Sequence, residues 1–323
     1  MTFKLLLAIA ALCLSGMGIA QTPDKYPSRP VTVIAPSGPG GGFDFVGRLL
    51  SQALTEQTKG TFVVENRTGS GTVVGTRAAV SAAPDGYTLL VGGLSNVVFN
   101  AALYKSLPYD PQADLEAVSV VARYPYVLIG RADLKQNTLA ELVAEARAKP
   151  DALTIGTAGN GTGQHVLAAA LAKATNIQVL LVPYKSAQAA HADLLGGRID
   201  LFIDTLPSVR PHLEAKRARA YFITSAARNP VLADVPTAKE VGVPSLEMGS
   251  WFGLFAPART PKAVLATLRK GIDTAMAEPA MRTRLDAAGI EVMSMTPSQT
   301  DAFVKAEFSK WTGVIRQAGI TLD

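Results

Sequence analysis

The chain has 323 residues, of which 48% are hydrophobic, and its 31 Lys and Arg against 26 Asp and Glu give a formal charge of +5. Such a chain can bury a large core and suggests two domains, while basic residues scattered along it, with no stripe, argue against nucleic-acid binding. The single cysteine, Cys13, lies in a leader-like segment, so the remainder holds no disulfide, thiolate nucleophile or thiolate metal site.

Residues 1–20 read as a signal peptide. Lys4 is its positive start, 5–14 its apolar run, and Gly18-Ile19-Ala20 its small-x-small cleavage site, so export to the periplasm with cleavage near Ala20 is expected. No later segment reaches the roughly 20 apolar residues of a membrane-spanning helix. Short β-branched runs then alternate with Ala-rich helical patterns: strand 31–35, helix 44–57, strand 61–65, helix 75–82, strand 88–91. A second series follows, with strand 127–129, helix 139–148, strand 154–156, helix 164–174, strand 179–183, helix 188–196 and strand 201–203. From Pro261 onward three helical patterns close the chain, at 262–277, 279–288 and 299–317. The alternation predicts an α/β fold of parallel βαβ units. Residues 117–130 and 250–256 read as long extended segments where one unit gives way to the other, a two-strand hinge. Lobe 1 is then 21–122 plus 251–323, and lobe 2 is 123–250.

Two segments carry candidate chemistry. The first strand runs into Pro36-Ser37-Gly38-Pro39-Gly40-Gly41-Gly42-Phe43-Asp44 and then a helix; 154–156 runs into Thr157-Ala158-Gly159-Asn160-Gly161-Thr162-Gly163-Gln164-His165 and a second helix. Glycines at a strand-to-helix turn let the backbone approach a ligand, and exposed N–H groups at a helix start favour an anion. Neither segment has the register of a dinucleotide fingerprint or the Lys-Ser/Thr ending of a P-loop. The alternative for the first is a flexible turn with Asp44 as an ordinary helix cap. If the turns face each other from opposite lobes, a ligand with acceptors at both ends is held by neutral donors, without desolvating a cation.

Several motifs, in order over nearly all of the chain after residue 20, resemble the substrate-binding proteins of tripartite tricarboxylate transporters, the Bug receptors. They are Tyr26-Pro27-Ser28-Arg29-Pro30-Val31, the Gly40-Gly41-Gly42-x-Asp44 loop, Val64-Glu65-Asn66-Arg67, Ala83-Pro84-Asp85-Gly86-Tyr87-Thr88-Leu89, Leu107-Pro108-Tyr109-Asp110, Gly159 to His165, Val182-Pro183-Tyr184-Lys185, Asp193 to Asp200 and Trp251 to Pro257. The resemblance implies a Venus-flytrap fold, a small carboxylate between the lobes, a monomer, and delivery to membrane permease subunits. Carried over by position, it assigns the ligand site Ser37, Gly41, Gly42, Phe43, Asp44 and Ser95 from the first lobe. From the second it assigns Asn160, Gly161, Thr162, His165, Tyr184, Lys185 and Asp204. Ser37 and Gly38 replace a common Phe-Pro, Phe43 stands where a small hydroxyl residue is frequent, and Ser186 replaces a frequent Gly. Phe43 makes an aromatic carboxylate an alternative to an aliphatic di- or tricarboxylate.

No cofactor, metal or nucleic acid is expected. His165, His191 and His212 are the only histidines, with no metal-type spacing, and His191 and His212 read as surface or packing residues. The G-x-S-x-G elbow of serine hydrolases is absent. Trp251 divides evenly between core and cleft wall. A secreted α/β enzyme acting on a carboxylate or ester, and a sensing subunit of a signalling system, stay open as other readings.

Overall fold

The structure, a computed structural model, describes residues 26–318 and 321–322. The expected signal peptide, with Cys13 and the cleavage site, lies outside the described residues.

Three Val- and Leu-rich runs form parallel strands: β1 (Val31–Ala35) lies between β2 (Phe62–Asn66) and β3 (Thr88–Gly93). Strand β3 pairs antiparallel with β9 (Gly249–Pro257), and β9 with the first part of the 17-residue β4 (Leu115–Arg131). From Tyr126 onward β4 changes partners, pairing antiparallel with β7 (Leu201–Thr205) on one side and β8 (Ala218–Ile223) on the other. Strand β7 runs parallel to β5 (Thr154–Thr157), and β5 parallel to β6 (Leu180–Pro183). A short β10 (Glu291–Val292) adds to β4 at Ala122 and Arg123. Two α/β lobes thus share one strand, and β9 ends its pairing with β4 at Pro125–Gly249, one residue before that change of partners.

Helices α1 (Gly42–Thr58) and α2 (Val73–Val80) belong to the first lobe. Beyond β3, a π-helical turn at Leu94–Phe99 leads into the short α3 (Asn100–Leu103). The second lobe carries α4 (Leu139–Ala148), α5 (Gly163–Thr175), α6 (Ala187–Leu195) and α7 (Leu206–Glu214). The chain then returns with α8 (Lys262–Ala277), α9 (Pro279–Ala287) and α10 (Pro297–Ala318). One buried cluster packs α1 and α8 on β1 and β3 through Val33, Leu50, Leu54, Leu89, Leu268 and Ile272. A second joins β5, β7 and α5 through Ile155, Ile203, Leu167 and Leu171.

Helix α7, with Pro207 in its first turn and Pro211 inside it, and strand β8 lie in a stretch to which the sequence reading gave no element; both form because Leu206, Val209, Phe222 and Ile223 bury on the neighbouring strands. Trp251 belongs to the core: it is fully buried, and its Nε1–H donates to Glu307 Oε2 at 3.1 Å.

Candidate functional site

A cavity of about 720 Å³ lies between the lobes. Strand-to-helix connections supply most of it, because each strand of a parallel unit delivers its following helix with the N-terminus on the same edge of the sheet. Gly41 and Gly42 at the start of α1, Thr162 at α5, Ser186 and Ala187 at α6, and Thr205 at α7 all line it. Four helix starts therefore point their partial positive charge at one space. Lys185 is the one charged side chain among the described residues of the wall, and it is exposed. Aromatic surface comes from Phe43, Tyr104, Tyr126, Tyr184 and Phe252. Phe43 meets Phe252 edge-on at 4.9 Å, and Phe252 stacks on the buried Tyr124 at 4.9 Å.

The sequence-assigned residues divide into wall and support. Ser37, Gly41, Gly42, Phe43, Ser95, Asn160, Thr162, Tyr184 and Lys185 line the cavity, and Asp44, Gly161, His165 and Asp204 are not among its lining residues. Asp44 is buried and accepts from the Gly40 N–H at 2.9 Å and from Arg48 Nε at 3.0 Å, so it organises the loop before α1. Burial raises its pKa, but the bonds from Arg48, Gly40 and Asn66 outweigh that and hold the carboxyl below its ordinary value. Gly161 packs against Asn100 and donates its N–H to His165 Nδ1 at 3.4 Å; burial lowers the pKa of His165, which favours the uncharged ring that can accept this bond. Asp204 is fully buried and is bonded by Gln164, Thr205 and His191. His191, expected at the surface or in packing, is itself buried against Phe202 and His212.

Tyr184 turns its hydroxyl away, donating to Asp193 Oδ2 at 2.8 Å, and burial together with that carboxylate pushes its pKa up to about 12. Its ring is what the cavity meets. Gly42 lines the cavity and is also packed tightly on its other side. A Cβ there would collide with the Tyr124 hydroxyl and lie 2.9 Å from Phe252 Cζ.

Sequence reasoning missed the segment 68–72, Tyr104, Tyr126, Gln164, Thr205 and Phe252, all on the wall. A signal for the first was present: Thr68-Gly69-Ser70-Gly71-Thr72 follows β2 and precedes α2, the same strand, Gly-rich turn and helix order as the other two loops. This third turn touches the opposite lobe. Gly71 has φ +56°, and a Cβ on it would overlap the Asn160 carbonyl. Ser95 Oγ accepts from the Gly163 N–H at 3.1 Å, a further bond between lobes. Gly38 and Gly40 abut Ser186 and Gln188. The lobes are thus closed over the cavity.

Two α/β lobes joined by paired crossing strands, with an enclosed site at their interface, define a solute-binding protein of the periplasmic type. Residues 46–320 match TctC, the tripartite tricarboxylate transporter family receptor, and the chain belongs to that family. It is 34% identical over 325 residues to the protein BugT of Bordetella pertussis, covering 100% of both chains. Among solved structures it is similar to Rpa4515 of Rhodopseudomonas palustris with adipate, at 32% identity and TM-score 0.88, covering 92% of this chain and 99% of the other. It is also similar to MatC of the same organism with bound malate, at 31% identity and TM-score 0.86, covering 90% and 100% respectively.

Proposed function

We propose that this protein captures a small carboxylate between its lobes on the outer side of the cytoplasmic membrane and hands it to tripartite tricarboxylate-type permease subunits. The observation that carries this reading is the ring of helix starts at α1, α5, α6 and α7 around a cavity whose wall, among the described residues, has one charged side chain, Lys185. Helix N-termini and a single ammonium favour an anion and offer nothing to a cation. The adipate and malate of the two relatives fit that chemistry. Phe43, Phe252 and the Tyr184 ring add flat apolar surface, which admits an aromatic as well as an aliphatic acid.

Capture needs the lobes to part and close. The change of partners along β4 at Tyr126 and the start of β9 at Gly249 support a hinge there, with 21–122 plus 251–323 as one body and 123–250 as the other. On this reading the protein is a receptor and not an enzyme, it works as a monomer, and residues 1–20 direct its export.

The test is a melting-temperature screen of aliphatic and aromatic mono-, di- and tricarboxylates beside their amides, in chelator. A ligand binding only the folded form at a hundred times its Kd adds about 2.7 kcal/mol, roughly a 5 °C rise for a protein this size. The acids should stabilise and the amides should not. Equal stabilisation by acids and amides, loss of every response in chelator, or turnover of a bound acid would each overturn the reading.

A further inference from the structure

A buried carboxylate stands one hydrogen bond behind the wall of this anion-favouring cavity. Asp204 is fully buried, and its Oδ1 accepts from Gln164 Nε2 at 2.9 Å and from the Thr205 backbone N–H at 2.8 Å; both of those residues line the cavity. A negative charge there faces a carboxylate in the cleft through a medium of low dielectric, where like charges repel strongly. No Lys or Arg pairs with Asp204 among the described residues. Its one partner able to carry a positive charge is His191, whose Nε2 lies 3.0 Å from Oδ2.

The ring of His191 is buried, and it lies 4.6 Å, centroid to centroid, from that of the half-buried His212 on α7. With Nε2–H donated to Asp204, Nδ1 is left over. It is buried and has no protein partner among the described residues, so it is the nitrogen open to the ring's second proton. His212 is held below its ordinary pKa by burial first, then by His191 and Arg217, against the pull of Asp204. Two imidazoles this close do not readily both charge, so the pair takes one proton. On α6, Asp193 is bonded by Arg198 and Tyr184, and on α7, Arg210 pairs with Glu214. Burial raises the pKa of Tyr124 and Tyr126 on β4, which keeps both hydroxyls neutral.

We propose that Asp204, His191 and His212 form a proton site coupled to the cleft: capture of the anion is accompanied by uptake of a proton from solvent, so that the carboxylate closes on a neutral cluster in place of a negative one. The inference rests on the carboxylate reading and adds a second bound species to it. Linkage fixes the sign. An anion that binds the protonated receptor better raises its proton affinity, and by the same factor the proton raises the affinity for the anion, so binding weakens as the pH rises through the histidine range. Capture is then favoured in acidic surroundings and release in alkaline ones.

The experiment is calorimetry with adipate, malate and benzoate, and with any further acid that stabilises in the melting-temperature screen, from about pH 6.5 to 8.5, where carboxylates stay ionised. Titrations near the middle of that range in two buffers of different ionisation enthalpy count the protons. The wild type is expected to take up about 0.3–1 proton per acid bound, and its Kd should rise by about threefold or more across the range. His191→Gln keeps an N–H for Asp204 but holds no proton, so the uptake should vanish and the pH profile flatten. Asp204→Asn, neutral throughout, should do the same and should bind at the alkaline end no more weakly than the wild type; if one variant does not fold, the other decides. No uptake in the wild type, release in place of uptake, or an uptake that survives His191→Gln overturns the inference and leaves the carboxylate reading standing. Absence of binding by these acids and by every acid of the screen overturns both.

Discussion

Gly42 and Gly163 occupy the first positions of α1 and α5, and the two helices meet the shared strand in the same way. A Cβ on Gly42 would run into the Tyr124 hydroxyl, and one on Gly163 into the Tyr126 hydroxyl, two residues further along β4. Gly163→Ala is thus expected to cost about 1–3 kcal/mol through overpacking. Gly313→Ala, on an exposed face of α10 with nothing near the added methyl, should be neutral or stabilise by about 0.4–1 kcal/mol. Chemical denaturation of the two variants checks this, and equal effects would refute the contact. The Gly-rich loops were legible because glycine at a strand-to-helix turn is a local feature. Their contact with Tyr124 and Tyr126 was not, since those residues lie some 80 and 40 positions away in sequence from their partners. The bond between His191 and Asp204, only 13 positions apart, was hidden because it joins a helix to the end of a neighbouring strand. Asp44 gives a pH prediction. Its folded pKa lies below its unfolded value, so the stability it contributes is present above about pH 4 and is lost as the pH falls through the folded pKa. Wild type should exceed Asp44→Asn by about 1–2 kcal/mol near neutrality, and the gap should narrow toward acid. A gap that stays constant or widens as the pH falls would show that Asp44 does not act as the ionised anchor of its loop.

Helix α10 is held to the sheet by a carboxylate between two indoles: Glu307 Oε2 accepts from Trp251 Nε1 at 3.1 Å and from Trp311 Nε1 at 3.0 Å. Phe303 packs edge-on to Trp251, and Trp311 edge-on to Phe99 of the π-helical turn, so the last helix braces the segment that carries Ser95. Glu307→Leu leaves both indole N–H groups without that acceptor and should cost about 2–4 kcal/mol, whereas Glu307→Gln, which keeps a carbonyl oxygen, should cost less. Thermal unfolding of both variants decides it; equal losses would show that bulk, not the bonds, holds α10. Most elements were readable from periodicity: β1, α4 and α8 occupy the ranges expected, and α1, α5 and α6 differ by a residue or two at their ends. The strands 117–130 and 250–256 were recognised as long, and they lie within β4 and β9. Burial overrode local signals in α7, where two prolines sit in a helix whose Leu206 and Val209 fill the core. Along β9 the period of two put Trp251 into the core and Phe252 on the cavity wall, a division that no single-residue preference reveals.

Closure is a property of the whole molecule, and it is marked by contacts between residues of opposite lobes. Ser95 reaches Gly163, Gly71 lies against the Asn160 carbonyl, and Gly40 abuts Gln188. A ligand shifts the balance between open and closed only through interactions better made in one state, and walls drawn from both lobes meet that condition. Gly71→Ala places a methyl where the Asn160 carbonyl sits, so it should hinder closure and weaken binding by about tenfold or more. The most direct measurement of interlobe capture is small-angle X-ray scattering of the purified protein, wild type and Gly71→Ala, titrated with a stabilising carboxylate and with its amide. The wild type should show a smaller radius of gyration at saturation with the acid, no change with the amide, and a diminished response in Gly71→Ala. An unchanged profile in the wild type, with calorimetry showing full occupancy by the acid, would contradict capture between closing lobes.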